Sequence, residues 1–317
     1  MSAVPGTTPT HVGAGNAETK QRSTRTASLV LLFSASLWGL SWWPMQQLAA
    51  LGLPAPALTL MAYGGVGLLG LPLLWHQRPQ WRGQLRQSFL IGALGGWASA
   101  SFVVSMTQGE VVREMLLFYL APAWSVLGAR FLLKEKLGLS RIVAVGIAMA
   151  GAYLVIRAGG AGDGLGTWGG ITTADLMALS SSITFAGNNL VTRAASEIPV
   201  ASKAVLLMLG CAAVSGLLMV VYAVPLPALS GTTALGVAAF ALIWIAGGSS
   251  TTAYGMSHLE AGRSAIILLA ELLAAVASAS LVTGRAPSLL ELLGGSLILA
   301  AAAIDIWEAG NSQRELA

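Results

Sequence analysis

Residues 203–224 read Lys-Ala-Val-Leu-Leu-Met-Leu-Gly-Cys-Ala-Ala-Val-Ser-Gly-Leu-Leu-Met-Val-Val-Tyr-Ala-Val, 22 residues with no charge after the first. As an α-helix rising 1.5 Å per residue, such a run crosses a hydrocarbon layer about 30 Å thick. Nine further runs have the same character: Ser28 to Leu48, Ala57 to Trp75, Ser88 to Thr107, Met115 to Leu133, Leu139 to Ile156, Asp175 to Val191, Thr233 to Tyr254, Ser264 to Leu281 and Leu289 to Trp307. Short polar seams, Gln108 to Glu114 and Ser257 to Arg263, divide two pairs of runs and read as tight hairpins. The composition agrees: 55% of residues are hydrophobic and 9% charged, too few charges to coat a water-soluble particle. The expectation is an all-α integral membrane protein with ten transmembrane helices in the lipid bilayer.

Charge sets the orientation. With a cytoplasmic N-terminus, 14 of the 17 Lys and Arg residues fall on the cytoplasmic side, and only Arg113, Arg157 and Arg285 fall outside. That partition follows the positive-inside rule and returns both termini to the cytoplasm of an inner or plasma membrane. The net charge of +4 is thereby the collar of a membrane protein, and nucleic acid is not an expected partner. The polar residues 1–26 read as a disordered cytoplasmic tail, with Lys20, Arg22 and Arg25 leading into a retained first helix. Residues 309–317 read as a second cytoplasmic tail. Cys211 is the single cysteine, so no disulfide framework exists within the chain.

The chain also repeats itself. Gln108-Gly-Glu-Val-Val-Arg113-Glu-Met aligns with His258-Leu-Glu-Ala-Gly-Arg263-Ser-Ala, pairing Glu110 with Glu260 and Arg113 with Arg263 at an offset of 150. The same offset pairs Glu135 with Arg285, and Gly52-Leu53-Pro54 matches Glu197-Ile198-Pro199 at 145. Residues 27–157 and 172–308 thus form two five-helix repeats. An odd helix number makes the second copy enter the membrane from the opposite face, which suits two halves rocking around a midplane site.

Leu37-Trp38-Gly39, Pro54, Leu120-Ala121-Pro122, Leu132-Leu133-Lys134-Glu135-Lys136-Leu137, Gly146 and Gly151 resemble the EamA-type branch of the drug/metabolite transporter superfamily. The likeness extends from about Ala27 to Trp307. It implies ten helices in two inverted halves, secondary export of amino acids, related metabolites or drugs, and a central cavity lined by helices one, three, four, six, eight and nine. The second half departs from the pattern. Leu272 replaces the proline of a Glu-Pro pair after Glu271, Arg285 replaces a closing glutamate, and Ala62-Tyr63 stands where many members carry arginine. No particular substrate therefore carries over.

Helical spacing puts polar stripes on five of those helices. They run through Ser34, Trp38, Trp42 and Gln46; through Trp97, Ser101, Ser105 and Gln108; through Ser181, Thr184 and Asn188 with Asn189 beside them; through Trp244, Gly248, Thr251 and Tyr254; and through Ser264, Glu271 and Ser278. The candidate substrate-binding set is Trp38, Trp42, Gln46, Trp97, Ser101, Tyr119, Asn188, Asn189, Trp244, Thr251, Tyr254 and Glu271. The blander readings stand beside it: small polar residues and glycines pack helices together, and tryptophans suit interfacial belts. The glycines at 64, 67, 70, 92, 96, 294 and 295 are read wholly as packing. Glu271 is read as the one carboxylate deep in hydrocarbon, where a charge costs on the order of 2.5–3.5 kcal/mol. It is a candidate for proton exchange, for pairing with a substrate ammonium, or for a static hydrogen bond. Arg113, Glu114, Glu260 and Arg263 read as caps or gating ion pairs, and Asp175 as a helix cap.

Other chemistry lacks its residues. Gly162-Asp-Gly164-Leu-Gly166 lacks the lysine of a phosphate loop, His11, His76 and His258 are too scattered for a metal site, and Gly247-Gly-Ser-Ser250 has no partner base. No catalytic residue, metal or cofactor is expected. The alternative to a transporter is an intramembrane lipid-modifying enzyme, which would need an acid pair or a histidine at membrane depth. The partners expected are a small-molecule substrate and lipid, and a homodimer stays open.

Overall fold

The computed structural model describes residues 12–132, 138–158 and 171–315. Lys134, Glu135 and Lys136, and the loop Gly162 to Gly166, lie outside the described residues. Within them the chain is helical. The first run is split into α1 (Val12–Gly39) and α2 (Trp42–Ala50), and the second into α3 (Ala55–Leu69) and α4 (Leu71–His76). A turn formed by α5 (Arg78–Trp81) and a 3-10 segment leads into α6 (Leu85–Gln108). The fourth run is α7 (Val111–Phe118) and α8 (Ala121–Leu132), and the fifth is α9 (Leu139–Ala158). In the second half come α10 (Thr173–Ala194), α11 (Val200–Val221), α12 (Gly231–Phe240), a π-helical stretch Ala241–Gly248, and α13 (Ser249–His258). α14 (Ala261–Leu268), α15 (Ala270–Thr283) and α16 (Leu289–Glu315) complete it.

Eight helical stretches among the described residues are long and apolar enough to cross a membrane, so the chain is an integral membrane protein. The two expected runs outside that set have physical reasons. α3 stops at 15 residues because the helix is interrupted at Gly70, ahead of Pro72. α10 is 22 residues long but carries Ser180-Ser-Ser182, Thr184 and Asn188, which face other helices more than lipid, and an exposed Asn189. One boundary is corrected: α1 begins at Val12, inside the segment read as a tail, because Ala17, Glu18, Lys20, Gln21 and Arg22 favour helix.

Several breaks have a proline at fault. Pro44 and Pro122 lack the N–H that Leu40 and Phe118 would need, and the helix bends just before each. The break between α14 and α15 has no proline, and Leu272 stands in the equivalent place. α6 lies between α10 and α11, α3 packs on α11, α9 on α16, and α1 on α13 and α15. Glycine permits the tightest crossings: a Cβ on Gly210 would collide with the Gly92 backbone, and one on Gly151 with the Gly294 carbonyl. Gly64, Gly67, Gly70, Gly96 and Gly295 likewise face neighbouring side chains or backbone, as their packing role requires.

Corresponding elements recur at fixed spacing. α6 and α13 end at Gln108 and His258, α7 and α14 start at Val111 and Ala261, and α9 and α16 start at Leu139 and Leu289, each pair 150 residues apart. α3 and α11 follow Pro54 and Pro199, whose φ, ψ values are −62°, 143° and −58°, 144°.

Candidate functional site

Glu271 sits in the first turn of α15, just past the break at Leu269, and is partly buried. α1 presses against it, since a Cβ on Gly39 would meet the Glu271 carbonyl oxygen and the Ala274 side chain. Tyr119, at the break between α7 and α8, donates its hydroxyl to the Leu268 carbonyl at 3.2 Å. The same hydroxyl lies in hydrogen-bonding reach of the Glu271 carboxyl. About two turns further along α15, Trp42 is 1% exposed and its indole donates to Ser278 Oγ at 3.0 Å. The breaks of three helices thus converge on the Leu268–Glu271 segment.

The remaining sequence candidates fall into separate contacts. Trp38 donates to Thr252 Oγ1 at 3.3 Å, Thr251 donates to Ser34 Oγ at 3.1 Å, and Trp244 donates to the Leu37 carbonyl at 2.8 Å, which knits α1 to α13 and the π-helical stretch. On the α6–α10 side, Trp97 donates to Ser180 Oγ at 3.2 Å and Ser101 bonds its own helix at Trp97 O. Asn188 is buried there, with Oδ1 unpartnered and facing Gly95. Gln46 reaches the Met106 carbonyl at 3.1 Å. Asn189 points outward and is exposed, because adjacent residues differ by about 100° on a helix. Tyr254 is 41% exposed and rests on the His258 ring. The described structure therefore sets Trp42 and Tyr119 on either side of the Glu271 segment, engages Trp38, Trp244 and Thr251 in the seam of α1 with α13 and the π-helical stretch, and leaves Asn189 and Tyr254 on the outside. A narrow cleft opens between α8, α9 and α16, with Tyr119 at its wall among alanines, Pro122 and Ile298.

Glu271 is not alone as a carboxylate within the bundle, which corrects the sequence reading. Glu114, Asp175 and Glu291 are 1%, 0% and 1% exposed. They escape a naive reading because each lies in the first turn of a helix, where Asp175 and Glu291 are capped and Glu114 keeps Oε2 unpartnered. Asp175 forms a capping box with Thr172 and a bidentate pair with Arg113, both contacts at 2.5 Å. Glu114 folds back over Gly109, where a Cβ would collide with its carboxyl. Glu291 accepts from the Ser288 backbone N–H at 2.6 Å, and Arg285 bridges Glu291 and Glu110. The Ser-x-x-Glu spacing of residues 288–291 announced that cap in the sequence. Nothing local announced Ser180, Ser182 and Thr252, whose hydroxyls take the indoles of Trp97, Trp124 and Trp38.

A crystal structure of a protein superposes with a TM-score of 0.57 at 20% identity, covering 88% of this chain and 96% of its own. Seventeen chains of solved structures match in all, and this likeness concerns the fold alone. No curated protein matches by sequence. Residues 25–157 match the model of the EamA-like transporter family. That match places the segment 25–157 with the EamA-like transporters of the drug/metabolite transporter superfamily.

Proposed function

We propose that the protein is a secondary transporter of ten crossings in two inverted five-helix halves, exporting an amino acid or related small amphipathic metabolite or drug across the cytoplasmic membrane by proton coupling through Glu271. The observation that carries this reading is the meeting of broken helices from both halves at the Leu268–Glu271 segment. Broken helices free backbone groups at membrane depth and give two rigid pieces an axis to move about. Support for the inverted repeat comes from the shared 150-residue spacing of helix ends and from the paired Pro54 and Pro199 starts. Trp38 and Trp42, on the helices that pack against the Glu271 segment, suit a substrate with an apolar body and an amino group.

A lipid-modifying enzyme gains nothing from the geometry. The acid pair it would need exists in Glu114 and Asp175, but Asp175 is committed to Arg113 and a helix cap. His258 is exposed beside Tyr254.

The test is movement of labelled amino acids and toxic analogues by proteoliposomes, with and without a proton gradient. Glu271→Gln keeps shape and hydrogen bonding while removing titration. It should abolish gradient-driven transport and leave substrate exchange largely intact. Loss of both together would make Glu271 a substrate-cation site, and full gradient-driven activity would remove it from the mechanism. Reporter fusions at Arg82, Lys136 and the C-terminus should be active in the cytoplasm, and those at Gly164 and Leu229 inactive. Activity at Gly164 would end the ten-crossing, N-inside arrangement.

A further inference from the structure

Tyr119 stands where α7 gives way to α8, and Leu268 and Leu269 stand where α14 gives way to α15. In an unbroken helix the Leu272 N–H would donate to the Leu268 carbonyl. Here the Leu269 N–H turns back to Ile266 O at 3.2 Å, and the ladder resumes only with Leu273 N–H donating to Leu269 O at 3.4 Å. The Leu268 carbonyl and the Leu272 amide are left apart. The Tyr119 hydroxyl stands at the gap between them, donating to Leu268 O at 3.2 Å with the Leu272 amide close by. A side chain inserted into the i to i−4 ladder is a recognised cause of a helix bend. Because the Glu271 carboxyl is also within reach, this one O–H has two acceptors to choose between.

We propose that Tyr119 is a positioning residue for Glu271, its hydroxyl completing the broken α14–α15 ladder and passing between the Leu268 carbonyl and the Glu271 carboxylate as that carboxylate gains or loses charge. The inference rests on the transporter reading for its purpose, though not for its geometry. A charged carboxylate accepts a hydrogen bond more strongly than a backbone carbonyl does. Drawing the Tyr119 O–H away leaves Leu268 O without a donor and loosens the bend. A proton or a substrate ammonium on Glu271 returns the hydroxyl to Leu268 and stiffens it. Tyr119 also belongs to the first half and Leu268 to the second, so the same bond ties the two halves together.

Among the described residues, no other charged group competes at close range. α7 carries Arg113 and Glu114 about one to two turns before Tyr119, engaged with Asp175 and Gly109. α1 offers Gly39 and α2 offers Trp42, which is bonded to Ser278. α14 carries Arg263 about two turns before Glu271, and it is exposed.

The experiment uses the full chain and needs no substrate. Backbone hydrogen exchange in the segment holding Leu272 should speed up about tenfold in Tyr119→Phe, the share of one buried hydrogen bond, with distant helices unchanged. The chain has five tyrosines, so carbon-13 at the ring Cζ gives five resonances. The Tyr119 resonance should move with pH in the native protein and stay fixed in Glu271→Gln. Unchanged protection of Leu272, or the same titration in Glu271→Gln, would overturn the proposal. Should Tyr119→Phe fail to fold, replacing the other four tyrosines assigns the resonance and leaves the pH test decisive. A failure of transport with both signals present would count against the transporter reading and not against this bond.

Discussion

At the α6–α7 hairpin Glu110 pairs with Arg285, and Arg113 is buried against Asp175. At the α13–α14 hairpin Glu260 and Arg263 hold the same places in the sequence but stand exposed, with no ion pair among the described residues. The difference extends along the helices: the apolar stretch of Val111–Phe131 is 61% buried, and that of Gly262–Thr283 is 17% buried. One motif, Glu-x-x-Arg, is thus closed at one end of the molecule and open at the other. The partners explain it. α10 meets α7 and α1 meets α14, and the two incoming helices share a short stretch, Thr173-Ala174-Asp175 at the start of α10 and Thr26-Ala27-Ser28 within α1. Where α10 supplies a carboxylate, α1 supplies a hydroxyl. Under the transporter reading, the first hairpin is a latch with its own lock and the second closes on packing alone.

The largest effect expected from this contrast is on stability. Asp175→Ala removes the partner of a buried Arg113 and the capping box of α10, and breaking a buried pair costs about 3–5 kcal/mol. Arg263→Ala, at the equivalent exposed place, should stay within about 0.5 kcal/mol. Thermal unfolding of both variants in the same detergent checks it. Equal shifts would mean that the hairpins do not differ as described.

A second test reads accessibility at matched positions. Val112 is 6% exposed, whereas Gly262, 150 residues later, has open space where a Cβ would stand. Cys211 is buried and is replaced by serine for this purpose. In that background Gly262→Cys should react with a water-soluble maleimide at least about tenfold faster than Val112→Cys, since thiol reactivity follows exposure. Adding Ser28→Asp puts a carboxylate on α1 at the place that corresponds to Asp175 and should slow the labelling of Gly262→Cys. An unchanged rate would separate the open hairpin from the lack of an acid on α1.

Much of this contrast could be read in the sequence, and part of it could not. The two seams and their Glu-x-x-Arg spacing are local, so the hairpins at Gly109–Glu110 and Leu259–Glu260 fall where the polarity places them. Asp175 as a cap follows from a helix start, but its pairing with Arg113 spans 62 residues and depends on how α7 lies on α10. Pro122 flags the bend before α8. No residue flags the bend at Leu269, because its cause is the Tyr119 hydroxyl from the other half. Periodicity found Trp38, Trp42 and Trp97 on polar faces. It could not separate Asn188 from Asn189, whose sides are decided by the fit of α10 against α6.

The smallest effect concerns the outer pair of the closed hairpin. Glu110 and Arg285 have side chains 35% and 47% exposed, so water and salt screen their attraction. Such pairs contribute about 0–1 kcal/mol, because ordering two long side chains offsets most of the Coulomb gain. Arg285 would keep Glu291 if Glu110 were lost, and Glu291 is 1% exposed and held by the Ser288 backbone. Glu110→Gln should therefore lower stability by less than about 1 kcal/mol, and the deficit should shrink as salt is raised. Asp175→Ala should keep its full deficit in high salt, since buried charges are screened far less. Unfolding curves at low and high salt for the two variants make the comparison. A Glu110→Gln deficit as large and as salt-insensitive as that of Asp175→Ala would place Glu110 inside the lock, and the closed end would then be one fused network instead of a buried pair with an exposed outer contact.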